Sequence, residues 1–431
     1  MKDKKILKLT LNKLIKISTK RPQRFFKADL YKRVLRILIS FASFRDLKKS
    51  AKPRLFFDLS ILSVYDNQTG VQRVVRSVFN ELKTLVREDY DLIPVSMTPF
   101  SKRIQVLKER KVTGKTSFRL TFFNIAPRKG DVFISMEQAF LEHIAHVEDF
   151  REMRQQGCRV FLTVYDLLPI QLPKFFPSES EEILTEWLCA TSDFVDYVCD
   201  SQTVESDLRQ FLLHNHLKLN RCFNFRPGFN FIKEVSSTGL TPLQEGFLKK
   251  MGDFNFNFLM VGTIEPRKGH STVLSLFEKL WQTEKKNISL TFIGRQGWMV
   301  DDLINRLNSH PKKDKNFYWF NDASDEFLDA CYKKTDAVII ASMNEGFGLP
   351  LLEAARRKCR ILANDIQIFR EVAPEKTCFI NFSNFESALG QLKNWLEHPG
   401  EYCSVDSFHS WKESTEEILA KGKILTRKHP S

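Results

Sequence analysis

The sequence has no C-x-x-C pair, and its eight cysteines, at 158, 189, 199, 222, 331, 359, 378 and 403, form no ligand-like cluster. In a chain of 431 residues that scatter excludes a disulfide framework and a cysteine zinc site, and the thiols read as reduced. Long hydrophobic runs are missing too. The longest apolar stretch near the N-terminus, Val34 to Phe44, contains Arg36 and is too short to span a bilayer. Lys8, Lys13 and Lys16 interrupt the apolar positions before it, so there is no signal-peptide core and a cytoplasmic location is expected. Glycine and proline number only 17 and 16, which with 42% hydrophobic residues excludes collagen-like and disordered chains.

Acidic residues are scarce at one end only. Residues 1–54 hold 18 Lys/Arg against Asp3, Asp29 and Asp46, a net of +15, while the other 377 residues hold 48 bases and 49 acids. The formal charge of +14 therefore belongs to a leader, not to the body, and no nucleic-acid motif accompanies it, so no nucleic-acid partner is expected. Leu30, Val34, Ile37, Leu38 and Phe41 follow helical spacing, with Lys27, Lys32, Arg33 and Arg36 mainly on other sides; Leu7, Leu11, Leu14 and Ile15 give a second stripe. A basic amphipathic helix of this kind suits an anionic membrane surface, at about 1 kcal/mol per nearby basic residue, or docking on the protein's own body.

After Pro53, β-branched or aromatic runs alternate with helical patterns, the signature of an α/β fold with parallel sheets. Arg54–Asp58 reads as the first strand and Gly70–Leu85 as the next helix, with strands at Leu92–Val95, Val132–Ser135, Arg159–Val164 and Tyr197–Cys199. Around residues 226–252 the pattern lapses into Arg-Pro-Gly and Ser-Ser-Thr-Gly-Leu-Thr-Pro, a linker composition. It restarts with strands at Phe256–Val261, Leu290–Ile293, Tyr318–Phe320, Ala337–Ala341, Arg360–Ala363 and Cys378–Ile380. The expected organisation is a leader (1–54), a Rossmann-like domain (55–233), a linker (234–252), a second Rossmann-like domain (253–405) and a terminal helix and tail (406–431). Two such domains place a ligand in the cleft at the carboxyl ends of their strands.

Two segments carry chemistry. Glu345-Gly-Phe-Gly-Leu-Pro-Leu-Leu-Glu353 follows an apolar strand and opens a helix. Gly346 and Gly348 let backbone amides approach a ligand, the helix N-terminus favours an anion, and Pro350 suits a first turn. Glu345 and Glu353 offer two carboxylates to one cleft, where they would accept hydrogen bonds from sugar or ribose hydroxyls. Residue by residue, a capped loop with solvated acids accounts equally for this stretch. The second segment, Phe258 to His270, ends a strand at Gly262 and displays Arg267 and Lys268 beside Gly269. A guanidinium fork next to a point charge suits a diphosphate, although a solvated basic turn reads the same way by itself.

Together, Gly262 to Gly269 and Glu345 to Glu353 resemble the retaining glycosyltransferases of family 4. Their GT-B fold sets two Rossmann-like domains around a nucleotide-sugar cleft, and the family's E-x7-E pattern is met by Glu345 and Glu353. The resemblance covers roughly residues 55–425. The wording Gly-Thr-Ile-Glu-Pro-Arg-Lys-Gly, with Gly294-Arg-Gln-Gly-Trp-Met299 downstream, looks most like bacterial mannosyltransferases that build O-antigen and capsule chains from GDP-mannose. The resemblance implies that Arg267 and Lys268 hold the diphosphate, with Gly262 and Thr263 lining the donor site. It places Glu345 and the Gly346, Phe347, Gly348 and Leu349 backbone at the donor sugar, and Glu353 at the ribose. Gly70 and Arg73 resemble the glycine loop near the donor phosphates. Asp166 stands where relatives carry the Asp of a His-Asp pair, with Tyr165 in place of the His.

Ser201 resembles a family segment and also reads as a helix N-cap. Asp89-Tyr-Asp91 matches a metal-binding D-x-D, which the GT-B class does not use. His143 and His146 share a helical face without a carboxylate to complete a metal site, and His270 reads as a helix start. The resemblance thus implies sugar transfer with retention and without a metal or cofactor, from a nucleotide-sugar donor to a glycan or lipid-linked acceptor. On that reading the leader makes the protein peripheral at an inner membrane face. A UDP-sugar or another GDP-sugar is the alternative within the class. Outside it stands a non-catalytic membrane-associated scaffold, against which the intact Glu345, Glu353, Arg267 and Lys268 argue.

Overall fold

The computed structural model describes residues 45–46, 51–66, 69–97, 103–112, 115–229, 239–403 and 409–425. The amphipathic stripes expected in the leader lie outside the described residues. Nine strands form the first sheet: β1 (Arg45–Asp46), β2 (Arg54–Asp58), β3 (Asp91–Ser96), β4 (Gln105–Val112), β5 (Lys115–Asn124), β6 (Val132–Ser135), β7 (Arg159–Val164), β8 (Asp196–Cys199) and β9 (Arg221–Asn224). Their order is β1-β5-β4-β3-β2-β6-β7-β8-β9. Six more, β10 (Phe256–Val261), β11 (Ile288–Ile293), β12 (Phe317–Phe320), β13 (Ala337–Ile340), β14 (Arg360–Asn364) and β15 (Cys378–Ile380), form the second in the order β12-β11-β10-β13-β14-β15. All pairs in the second sheet are parallel, as are the pairs from β3 through β2 to β9 in the first. Helices cover both faces, which is why these strands are nearly continuous apolar runs instead of alternating ones.

Each sheet reverses its strand order once. In the first the chain leaves β2 for β3 and returns to pair β6 on the other side; in the second it leaves β10 for β11 and returns to β13. The loops after β10 and β13 therefore flank a crevice, and these are the two loops that carry the basic and glutamate motifs.

Three features differ from the sequence expectation. The antiparallel hairpin β4/β5 extends the first sheet at one edge, although its charged sequence gives no alternating pattern. The expected linker 234–252 contains a helix, Pro242–Lys250, with a Thr241/Gln244 capping box. Its Phe247 stacks 4.5 Å from Tyr318 and 5.0 Å from Phe320, so this helix belongs to the second domain's core. The last helix, Trp411–Lys421, crosses back to the first domain: Trp411, Ile418 and Leu419 join the cluster that holds Val74 and Phe79.

Far from the crevice, at the amino ends of β2 and β6, Arg54 and Asp131 form a buried pair, with side chains 2% and 0% exposed. Asp131 accepts from the Arg54 backbone N–H at 2.8 Å and from its Nε at 3.1 Å. Removing one partner of such a pair strands a buried charge and costs about 3–5 kcal/mol. Asp131→Ala should lower the denaturant midpoint accordingly; a loss below about 1 kcal/mol would contradict the role given to the pair.

Candidate active site

The second domain supplies the charges. β10 ends at Val261; the N–H of the next residue, Gly262, donates to Ile293 O at 2.9 Å, and the chain then turns through a short 3-10 segment, Pro266–Lys268. Arg267 and Lys268 thus stand at the carboxyl end of a central strand, before the helix His270–Thr283. The neighbouring loop after β13 is tied to this turn by the Met343 N–H, which donates to Arg267 O at 2.8 Å. Glu345 lies on that loop. Its Oε2 accepts from Arg267 Nη1 at 3.1 Å and its Oε1 meets Lys268 Nζ, all three side chains being 12–17% exposed. Arg267 Nη2 also lies 3.1 Å from Glu265 Oε2, while its buried Nε has no hydrogen-bond partner among the described residues.

Burial alone would raise the Glu345 carboxyl, but the charges of Lys268 and Arg267 outweigh it and hold the group at about 2. Glu345, Glu265 and Asp166 in turn keep Arg267 charged against its own desolvation. Glu265 shifts the other way: burial pushes it up against the Arg267 and Lys268 charges.

Glu353 follows on the helix Leu349–Arg356, which begins after Gly348 at φ 95, a left-handed conformation that favours glycine. Its Oε1 accepts from Arg73 Nη1 of the first domain at 2.7 Å, and its Oε2 from the Tyr332 hydroxyl at 3.3 Å. Arg73 lies in the first turn of the helix Gly70–Leu85, whose N-cap Thr69 forms a capping box with Gln72. Gly70 sits close enough to Leu349 that an added Cβ would lie 3.2 Å from its Cδ1. The structure thus brings Glu345, Arg267 and Lys268 into one cluster, and Arg73 and Glu353 into a pair across the cleft. Gly262 and Thr263 stand at the mouth of the same crevice.

The first domain meets this cluster at the ends of β7 and β8. Tyr165 is buried and its hydroxyl donates to Met136 O at 2.7 Å, so the side chain in place of the family's histidine fills the interior. Asp166 is half-buried and accepts from Leu168 N–H at 3.1 Å; burial raises its carboxyl against the opposing charges of Arg267 and Lys268. Gly346 presses against Tyr165 so closely that a Cβ there would lie 1.9 Å from Tyr165 O. Ser201 caps the helix Gln202–His214, as its sequence position suggests, and its hydroxyl also donates to Gly346 O at 2.9 Å.

Sequence reasoning missed two residues here. Asp200 is buried beside Gly346 and Asp166, and burial followed by the Asp166 charge pushes its carboxyl well up. Only its place before the Ser201 cap could have signalled it. Glu371, on the helix Gln367–Val372, crosses the cleft to accept from the N–H groups of Gln202 and Thr203 at 2.7 and 2.8 Å and from the Thr203 hydroxyl at 2.6 Å. No sequence pattern announces that contact, because its partners are backbone groups far away in the chain.

The discounted candidates fall elsewhere. Asp91 is exposed at the start of β3, and Asp89 just before it is half-buried. His143 is not on a polar face but fully buried: Trp187 Nε1–H donates to its Nδ1 at 3.1 Å, leaving Nε2 for the Ser135 hydroxyl at 3.0 Å. The indole N–H can only donate, so His143 is the neutral Nε2–H tautomer. His146 pairs with Asp149 at 2.6 Å. His270 begins its helix, with its ring against Phe292 and its pKa lowered to about 3 by burial and by Lys268. Among the described residues no group of three or more His, Cys, Asp or Glu is arranged to hold a metal ion, and no helix is long and apolar enough to cross a membrane.

Two Rossmann-like domains facing each other across a cleft of this kind define the GT-B class. Solved structures share the arrangement. One of trehalose-6-phosphate from E. coli bound with UDP-2-fluoro glucose superposes at TM-score 0.56 with 11% identity, covering 86% of this chain and 96% of that one. Sucrose-phosphate synthase from Thermosynechococcus elongatus gives 0.54 and 12%, covering 86% and 94%. Residues 251–415 match the family model of glycosyl transferases group 1. The serotype-specific mannosyltransferase WbdA of Escherichia coli is 31% identical over 427 residues, 95% of this chain and 51% of the relative. The O-antigen chain mannosyltransferase RfbU of Salmonella typhimurium is 27% identical over 184 residues, 41% of this chain and 50% of the relative. The chain thus spans about half the length of the curated relatives it matches.

Two outcomes test the geometry. Glu345 is depressed from 4.5 to about 2, so the stability it contributes is present above its ordinary pKa and is lost as pH falls toward 2. Wild-type unfolding free energy should fall by about 3 kcal/mol over that window, and Glu345→Gln should lack this part of the loss. Gly346→Ala should force the domains apart at Tyr165, read as a larger radius of gyration in solution scattering. An unchanged radius would contradict the contact.

Proposed function

We propose that this chain transfers a hexosyl residue, mannose from GDP-mannose, to a glycan or lipid-linked glycan acceptor, with retention at the anomeric carbon and without a metal ion or cofactor. The observation that carries the reading is the Arg267–Lys268–Glu345 cluster at the switch point between β10 and β13. Arg267, with its unpartnered Nε, and Lys268 would take the two phosphates; Glu345 and the Gly346–Leu349 backbone would orient the sugar, and Glu353 the ribose. The bond from the anomeric carbon to the phosphate oxygen breaks while the acceptor oxygen forms a new bond on the same face. The acceptor's proton passes to the departing phosphate oxygen, so no protein nucleophile is needed. Asp166 would order a hydroxyl at the reacting centre. Closure by Gly346, Ser201 and Glu371 would exclude water and limit hydrolysis of the donor. The mannosyltransferase names of the relatives support the sugar, and the leader's net +15 supports work at an anionic membrane surface, where a lipid-linked acceptor is presented.

Thermal shifts with GDP-mannose, UDP-glucose and UDP-N-acetylglucosamine separate the donors. A ligand held at 100 times its dissociation constant adds about 2.7 kcal/mol, which only the true donor should reach at the lowest concentration. Lys268→Ala should lose at least about 100-fold in transfer rate while remaining folded. Substantial turnover by that variant would sink the assignment, and stabilisation by a UDP-sugar alone would replace the donor.

A further inference from the structure

Asp200 follows the last residue of β8 at the point where the two domains touch. The residue is 4% exposed, and its Oδ1 is buried with no hydrogen-bond partner among the described residues. Its Oδ2 lies 3.3 Å from where a Cβ on Gly346 would stand, so the carboxyl faces the loop that follows Glu345. A buried polar group left unpaired costs about 1–3 kcal/mol, and the fold offers this one no cation of its own. The charged groups facing it are Asp166 at the end of β7, Glu371 from the helix Gln367–Val372 and Glu345; Arg267 and Lys268 lie beyond, where they are engaged with Glu345. Glu371 differs in that both its oxygens are taken, by the backbone N–H groups of Gln202 and Thr203, two and three residues further along the chain.

We propose that Asp200 is a hydroxyl-recognising residue of the sugar subsite, its unpartnered Oδ1 meeting one ring hydroxyl beside Asp166 and Glu345. This rests on the glycosyl-transfer reading of the cleft. Burial and the neighbouring carboxylates push Asp200 well up, toward the neutral form that can both donate and accept, as one hydroxyl requires. Asp166, less strongly shifted and closer to the cations, is then the acceptor of the pair. The division explains why two acids stand together on the first domain's side of the cleft without a cation placed between them.

The test compares Asp200→Asn, which keeps a donor and an acceptor, with Asp200→Ala, using the full chain, the donor fixed by the thermal screen and its monodeoxy analogues. Asp200→Ala should lose about 10- to 100-fold in kcat/KM, the worth of a buried hydrogen bond, and Asp200→Asn should keep most of it. For one monodeoxy donor the Asp200→Ala penalty should vanish, because the hydroxyl it serves is gone. Retention of kcat/KM within about twofold in Asp200→Ala would overturn the proposal, as would an equal penalty with every monodeoxy donor. If the wild type transfers from no nucleotide sugar, the reading of the cleft itself falls and this assignment with it.

Discussion

One carboxylate serves two cations, and the site stands on that sharing. Arg267 and Lys268 are neighbours on a single tight turn, each largely buried, and side by side they would repel each other. Glu345 reaches them from the next loop of the sheet and neutralises that repulsion. The tie between the loops is reinforced by the backbone bond from Met343 to Arg267. Because Glu345 is followed at once by Gly346, the residue that fixes the charge cluster also fixes the chain that meets the other domain. Electrostatics and domain contact are therefore not separate properties here; they belong to consecutive residues of one loop.

The domain contact is made mostly of backbone. Gly346 approaches Tyr165 O, Ser201 reaches Gly346 O, and Glu371 takes two amides at the start of a helix, where unsatisfied N–H groups are available. Trp298 adds its N–H to Phe175 O at 2.8 Å, and Asn344 bonds Gln171 at 3.0 Å. The Arg73–Glu353 pair also spans the cleft, but with Arg73 40% exposed its contribution is screened by solvent. How near the two domains come is thus set by the missing side chain at Gly346, not by the ion pair. A fold that depends on a glycine for closure tolerates no side chain there, whatever its polarity.

Much of this was legible in the sequence. Alternating apolar runs fixed Arg54–Asp58, Gly70–Leu85, Arg159–Val164, Phe256–Val261 and Cys378–Ile380 to the residue, since buried parallel strands and amphipathic helices write their period directly. The hairpin Gln105–Val112 and Lys115–Asn124 escaped because charges interrupt it, and the helix Pro242–Lys250 because its Pro and Gly resemble a linker. In the site, the two motifs brought out Arg267, Lys268, Glu345 and Glu353, in glycine-containing segments that follow a strand. Asp200 and Glu371 stayed hidden because their meaning comes from what faces them across the cleft, and one-dimensional spacing carries no such information. Tyr165 was visible as a departure; only its bond to Met136 O explains it as packing.

The carboxylates around the cations pose a problem that burial resolves. Glu345, Glu265, Asp166 and Asp200 outnumber Arg267 and Lys268, and as full charges they would repel a diphosphate. Burial pushes Glu265, Asp166 and Asp200 toward their neutral forms, and the two cations hold only Glu345 firmly charged. Arg267 and Lys268 are therefore committed chiefly to one anion, Glu345. On the proposed reading an entering diphosphate takes over those cations and loosens Glu345, which then stands beside the sugar with its acceptor oxygens free. When the diphosphate leaves, Glu345 recovers its partners. Exchange of one counter-ion for another would thus set the orientation of the sugar-binding carboxylate by the presence of the donor itself.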